Sequence, residues 1–125
     1  MNSLKHQPMY QRGDIVSVPF PFTDLSQAKL RPALVISGRV VNDSGDVILV
    51  MITSVSRTDG MSISISVDNV SIPLPKNSFV RCHKVVTISQ SLIQKTISRA
   101  RIDFVDQISD KIQSLIGATS YSDLS

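Results

Sequence analysis

Short stretches of β-branched residues, each closed by proline, glycine or turn-forming polar residues, recur along most of this chain. Stretches of this kind predict strands at residues 14–20, 33–37, 47–53, 62–67, 79–88 and 95–101. Residues 62–67 alternate strictly between serine and an aliphatic residue, which is typical of a half-buried strand. Strands this short and numerous favour a small antiparallel barrel around one shared core.

The periodicity changes near the carboxyl terminus. Apolar residues then recur at helical spacing, at Phe104, Ile108, Ile112, Leu115 and Ile116. Asp103 is expected to cap the start of this helix, and Gly117 stands where the helix would end. We therefore expect a mainly β fold with a C-terminal α-helix (class α+β), built as a small SH3-like curled antiparallel barrel.

Length and hydrophobic content favour one domain. The chain has 125 residues, 42% of them hydrophobic, so we expect a single domain over residues 1–125 with its folded core at about residues 12–117. The longest apolar run, residues 47–52, is far shorter than the roughly 20 residues of a membrane helix. No apolar segment of the signal-peptide kind stands near the N-terminus. The expectation is a cytoplasmic protein without a membrane partner.

The charged residues limit the chemistry. The net charge of +3 is compatible with a polyanionic partner. All ten acidic residues are aspartates, so no glutamate is available as a general base or a metal ligand. Histidine, cysteine and aspartate show no metal-ligand spacing, and we expect neither a metal nor another cofactor.

Cys82 is the only cysteine, and it lies inside an apolar stretch. A lone cysteine in this setting is predicted to be a small buried hydrophobe. His83 is its neighbour in sequence, and neighbouring side chains of a strand point to opposite faces. This argues against a catalytic pair formed by the two.

Arg31 is a candidate phosphate ligand, because it stands directly before Pro32 and an apolar strand. Pro32 favours an extended backbone at Arg31, and a guanidinium can donate two hydrogen bonds to one phosphate. Thr53 and Ser54 end the third predicted strand, where hydroxyls can bind a phosphate or cap a turn. Local sequence leaves a purely structural role open for all three residues.

Several segments, taken in chain order, carry a family resemblance. Residues 13–16 read GDIV, residues 19–25 PFPFTDL, residues 31–37 RPALVIS, residues 52–54 ITS and residues 80–88 VRCHKVVTI. Together they resemble the MazF/PemK family of growth-inhibiting toxins of toxin–antitoxin pairs. The resemblance covers roughly residues 12–117. His83 departs from the aspartate that the PemK-like branch usually has there.

The resemblance implies a homodimeric, sequence-selective endoribonuclease that cleaves single-stranded RNA without a metal and is inhibited by a cognate antitoxin. It implies Arg31 and Thr53 as catalytic residues and Ser54 as a neighbouring phosphate ligand. Beside these, we expect the basic residues Lys29, Arg81 and Lys84 near the RNA path. A solvated barrel face is the alternative for those three.

Other functions remain open from the sequence. His6 and His83 could form a competing acid–base pair, although His6 lies in the polar N-terminal segment. The same barrel could serve a non-catalytic toxin that poisons DNA gyrase, or a catalytically silent nucleic-acid-binding module. The combination of Arg31 and Thr53 favours the ribonuclease.

Overall fold

The computed structural model describes residues 9–19 and 29–124, apart from the side chain of Leu124. Its strands are β1 (Asp14–Pro19), β2 (Leu30–Val35), β3 (Asp46–Thr53), β4 (Ser62–Ile65), β5 (Ser78–Ser89) and β6 (Lys95–Arg99). Its helices are α1 (Arg39–Asn42) and α2 (Ile102–Gly117), with 3₁₀ turns at Val67–Asn69, Gln90–Leu92 and Tyr121–Leu124. The strands form one antiparallel sheet in the order β4-β5-β3-β2-β1-β6.

The expected fold class is confirmed: the sheet curls into a half-barrel and a C-terminal helix packs on it. Strand β2 nevertheless begins three residues before the predicted start at residue 33. Arg31 and Pro32 lie in the strand because they pair with Val18 and Ser17 of β1. Pairing between distant segments set this boundary, and local sequence carried no signal for it.

Apolar side chains are buried on both faces of the sheet. On one face they pack beneath α2, in a cluster of Ile15, Leu34, Val50, Ile52, Val80, Cys82, Phe104, Val105, Ile108 and Ile112. On the other face they form a second cluster of Val16, Val18, Ala33, Val35, Val47, Leu49, Met51, Ile88 and Ile93. Strand β3 contributes to both clusters, which is why its sequence is apolar at successive positions.

Helix α2 packs through the residues that the periodicity predicted. Ile108 is fully buried and Ile112 is nearly so, and burial of one such side chain stabilises the fold by about 1.5–3 kcal/mol. The expectation that Asp103 is the N-cap is wrong, because Arg101 occupies that position. The Arg101 N–H donates to the Asn69 carbonyl oxygen at 2.8 Å, and this tertiary bond fixes the entry of the chain into the helix.

Candidate active site

The pairing of β2 with β3 brings the first site residues together. Ala33 lies opposite Met51 and Val35 opposite Leu49 in this antiparallel pair. The same register, continued toward the start of β2, puts Arg31 opposite Thr53. Side chains of opposite residues share one face of a sheet. Two residues far apart in sequence therefore meet at one end of the sheet.

Arg31, Thr53 and Ser54 line a pocket of about 320 Å³ at this end of the sheet, which we call the Arg31 pocket. Apolar side chains supply part of its wall, at Ile52, Leu74, Val55 and Ile97. Such a wall lowers the local dielectric constant, which strengthens hydrogen bonds from charged donors to a bound anion.

The guanidinium of Arg31 has no carboxylate partner among the described residues. Its Nε atom is buried and makes no hydrogen bond within the described part of the chain. An unsatisfied buried donor costs about 1–3 kcal/mol. An anion that enters the Arg31 pocket would meet the accessible atoms of this guanidinium, because Arg31 lines the pocket.

Thr53 combines the two roles that the sequence left open. Its Oγ1 atom accepts a hydrogen bond from the Val55 N–H at 3.1 Å, which stabilises the turn after β3. That contact uses a lone pair and leaves the hydroxyl proton free to be donated. Ser54 is exposed beside it. The end of β3 thus presents two hydroxyl groups next to a guanidinium that has no carboxylate partner in the described part of the chain.

Comparison with known proteins identifies the family. Residues 11–116 match the sequence model of the PemK-like, MazF-like toxins of type II toxin–antitoxin systems. The chain belongs to this toxin family. No curated protein matches the chain closely enough to add to that assignment.

Solved structures share the fold of this toxin. MazF from Deinococcus radiodurans is 21% identical, with a TM-score of 0.69 over 87% of this chain and 97% of its own. A MazE–MazF complex from the same organism gives 20% identity and a TM-score of 0.70, covering 90% of this chain and 100% of the other. An endoribonuclease from a mycobacterial species, in complex with its cognate antitoxin, gives 15% identity and a TM-score of 0.69, covering 89% and 98%.

Two residues of the toxin's pocket were missed by sequence reasoning. Lys76 is exposed on the connection between β4 and β5 and lines the Arg31 pocket, as does Ser78. The Ser78 hydroxyl donates to the Lys76 carbonyl oxygen at 2.8 Å, which fixes the backbone there. Pro73 and Pro75 stiffen the same connection. A lysine directly after two closely spaced prolines was the available signal, but only the fold brings it beside Arg31.

Arg81 is not part of this pocket. Its guanidinium donates to both carboxylate oxygens of Asp59, at 2.8 and 2.9 Å, and to the Ser62 hydroxyl at 3.0 Å. The hydrogen bond from Arg81 lowers the pKa of Asp59 to about 2. These contacts tie the loop between β3 and β4 to β5. Arg81 therefore supports that loop, and its place near the RNA path stays a prediction.

The pairing of β5 with β3 is irregular next to Arg81 and Lys84. Val50 of β3 pairs with Val85, whereas Ile52 pairs with Val80, so four residues of β5 face the single residue Met51 of β3. Irregularities of this kind change the direction of side chains along a strand. Lys84 is half-buried and does not line the Arg31 pocket.

The remaining candidates divide between exposed and undescribed positions. Lys29 is exposed just before β2 and does not line the pocket. His83 is exposed on β5, and its pKa is lowered by partial burial and by the charges of Arg81 and Lys84. His6 lies outside the described residues.

Cys82 confirms the expectation of a buried hydrophobe. It is completely buried, and burial raises the pKa of its thiol to about 11. The thiol therefore stays protonated at neutral pH and is a poor nucleophile.

Residues 9–19 and 29–124 contain no group of three or more histidine, cysteine or acidic side chains able to hold a metal ion. Among the same residues, no helix is long and apolar enough to cross a membrane.

A larger cavity of about 650 Å³ lies at the opposite end of β1 and β2, lined in part by Tyr10, Arg12 and Arg99. Its arginines have carboxylate partners: Arg99 bonds Asp14 at 2.7 Å and Arg12 bonds Asp106 at 2.8 Å, although the Arg12 Nη1 atom is also buried without a hydrogen bond to the described residues. Among the arginines at the two cavities, Arg31 is thus set apart by its lack of a described carboxylate partner.

Proposed function

We propose that this toxin cleaves single-stranded RNA without a metal ion, in the Arg31 pocket. The observation that carries the proposal is the meeting, in one pocket, of Thr53 with an arginine whose buried Nε has no described partner. Solved structures with the same fold include mycobacterial endoribonucleases, which supports this activity for the present chain.

The chemistry needs hydrogen-bond donors for the phosphate and a base for the 2′-hydroxyl proton, and solvent water can accept that proton and supply one to the 5′-oxygen. The 2′-oxygen forms a bond to the adjacent phosphorus, and the bond from phosphorus to the 5′-oxygen breaks. The products are a 2′,3′-cyclic phosphate and a free 5′-hydroxyl, and the proton lost at the 2′-oxygen is balanced by the proton gained at the 5′-oxygen. DNA lacks the 2′-hydroxyl and would not be cleaved.

Arg31 would bind the non-bridging phosphate oxygens, where negative charge builds up in the transition state. A preorganised donor of this kind contributes about 3 kcal/mol. Thr53 would donate a further hydrogen bond to the same group, and Ser54 would hold the phosphate. The guanidinium remains charged throughout, so its role is electrostatic.

Electrostatic attraction would bring the RNA backbone to the site. Lys76 lies at the pocket, and Lys29 is exposed two residues before Arg31. Binding that depends on contacts between cations and phosphates weakens steeply as salt rises. Association of the cytoplasmic toxin with RNA should therefore weaken between low and physiological ionic strength.

The test is cleavage of a long single-stranded RNA by the purified toxin in excess EDTA. We expect discrete fragments ending in 2′,3′-cyclic phosphate and 5′-hydroxyl groups, and no cleavage of a DNA of the same sequence. Arg31→Ala and Thr53→Ala are the matched inactive controls. Intact RNA with measurable binding would instead support a nucleic-acid-binding module. Intact RNA without binding, together with inhibition of DNA gyrase, would support the gyrase-poison alternative.

Regulation would follow from the same pocket. Structures of the fold in complex with a cognate antitoxin or with MazE support an antitoxin partner here. An acidic, partly apolar antitoxin segment would compete with RNA for the positive field around Arg31 and Lys76. We expect each ligand to displace the other in a fluorescence competition assay. Simultaneous, independent binding of both would contradict a shared site.

A homodimer is the assembly we propose. Strand β4 is short and is an edge strand of the sheet. Its outer backbone groups can therefore pair with a second copy of the chain. Exposed apolar side chains at Val67 and Ile72 lie on the connection that follows β4. Sedimentation at micromolar concentration should show a dimer, and a monomer there would contradict the assembly.

A further inference from the structure

A second, smaller pocket adjoins the Arg31 pocket, and we call it the side pocket. It has a volume of about 130 Å³ and lies between the end of β4 and the connection to β5. Four residues line both pockets: Leu74, Pro75, Lys76 and Ser78. The connection between β4 and β5 is therefore a wall of both pockets. Two successive groups of one ligand could occupy the two pockets.

The volume of the side pocket suits one planar ring. A protein cavity of about 150 Å³ holds a benzene molecule, so about 130 Å³ accommodates the single ring of a pyrimidine. The fused rings of a purine would extend out of it. Ile65, Val70 and Leu74 are half-buried at this pocket and supply apolar surface for the faces of a ring.

The carboxamide of Asn77 is an available polar group of the side pocket. Asn77 is exposed, lines this pocket, and forms no side-chain hydrogen bond with the described residues. An amide offers one acceptor oxygen and two donor hydrogens. Every base presents a donor beside an acceptor on its Watson–Crick edge, so the amide can form two hydrogen bonds with whichever base enters, and the size of the pocket makes that base a pyrimidine.

Charge links the two pockets. Lys76 lines both of them, so its ammonium group can reach a phosphate of a backbone that passes from one pocket to the other. Single-stranded RNA is commonly read in this way, with unstacked bases placed in pockets while the backbone is held by cations.

We propose that the side pocket binds one pyrimidine base of the RNA, next to the phosphate held by Arg31, and that Asn77 is a specificity-determining residue. This inference rests on the proposed ribonuclease function. It adds the substrate preference: cleavage occurs where a pyrimidine occupies one fixed position beside the broken bond, and a purine at that position is disfavoured.

The first test is cleavage of a randomised RNA pool in EDTA by the wild-type toxin and by Asn77→Ala, with sequencing of the cut ends. We expect the wild type to prefer a pyrimidine at one position by about fivefold to a hundredfold, the range for a two-bonded amide contact. Asn77→Ala should lose that preference while its melting temperature is unchanged. Gln107→Ala, which removes an exposed amide from α2, should behave as the wild type.

The second test does not depend on cleavage. Short 2′-deoxy oligonucleotides that differ at one base are titrated against the same three proteins. Tighter binding of the pyrimidine forms, lost in Asn77→Ala, supports the side pocket even when the wild type cuts no RNA and the proposed function fails. Equal affinity for all bases, or an unchanged cut-site pattern in Asn77→Ala, overturns the inference. Weaker antitoxin binding by Asn77→Ala with unchanged base preference also overturns it, since the pocket would then serve the antitoxin.

Discussion

Arg31 and Arg81 lie in strands of the same sheet, but their surroundings are opposite. The guanidinium of Arg81 is almost completely buried and bonds Asp59 and Ser62. The guanidinium of Arg31 has a buried Nε without a described partner and lines an open pocket. The first arrangement satisfies a cation within the fold, whereas the second leaves a cation available to an anion from outside.

The difference shows how the surroundings of an arginine in a small β protein indicate its role. Removing a charge from water is costly unless a partner compensates for it. Asp59 compensates for the burial of Arg81, so the pair is a means of holding the loop between β3 and β4. Arg31 leaves part of that cost uncompensated, which is expected where a site is organised for a ligand.

Substitution of Arg31 should produce the largest effect. We expect Arg31→Ala to lower kcat/KM for RNA cleavage at least about a hundredfold, because a donor that stabilises the transition state is lost. Arg31→Lys should recover only part of the rate, since an ammonium group lacks the planar fork. The free energy of unfolding should not fall in either variant. Cleavage at the native rate by Arg31→Ala would show that the pocket is not the active site.

Substitution of Arg81 should lower the stability of the fold and leave the cleavage rate nearly unchanged. In Arg81→Met the hydrogen bonds to Asp59 and Ser62 are lost, and we expect the free energy of unfolding to fall by about 1.5–3 kcal/mol. Folded Arg81→Met should still cleave RNA within about threefold of the native rate. Urea unfolding and an RNA assay below the unfolding range measure the two quantities.

The control for Arg81 is Arg57→Met, because Arg57 is an exposed arginine of the same loop. Its effect on the free energy of unfolding should stay within about 0.5 kcal/mol. If Arg81→Met were fully stable but inactive, Arg81 would lie on the RNA path. The proposed difference in role between Arg81 and Arg31 would then be wrong.

The smallest predicted effect is a pH dependence. Arg81 lowers the pKa of Asp59 from its ordinary value of 3.8 to about 2. A carboxyl group with a lowered pKa in the folded state stabilises the fold above its unfolded pKa and loses that contribution as pH falls. The stability difference between the wild type and Arg81→Met should therefore shrink as pH falls from about 4 to about 2.

Acid titration of both proteins in urea checks this difference. The other aspartates are present in the two proteins alike, so their contributions cancel in the comparison. A difference that stays constant across this pH range would mean that the Asp59 carboxylate is not stabilised by Arg81.

Local sequence was informative wherever local physics controls the structure. Turn-forming residues and β-branched stretches placed the six strands to within a few residues, and helical periodicity located α2 together with its buried residues Ile108 and Ile112. It failed at element ends, at the start of β2 and at the cap of α2, because those boundaries depend on bonds to distant segments. It also missed the short helix α1, which packs against β3.

The sequence by itself determined the fold class, the burial of Cys82 and, through family resemblance, the choice of Arg31 and Thr53. Only the tertiary structure decided which cations share a pocket with them. Sequence treated Lys29, Arg81 and Lys84 alike, whereas the fold commits Arg81 to Asp59 and brings Lys76 to Arg31. The reason is physical: strand register and the irregularity in β5 set which side chains meet, and both arise from pairing between segments that are remote along the chain.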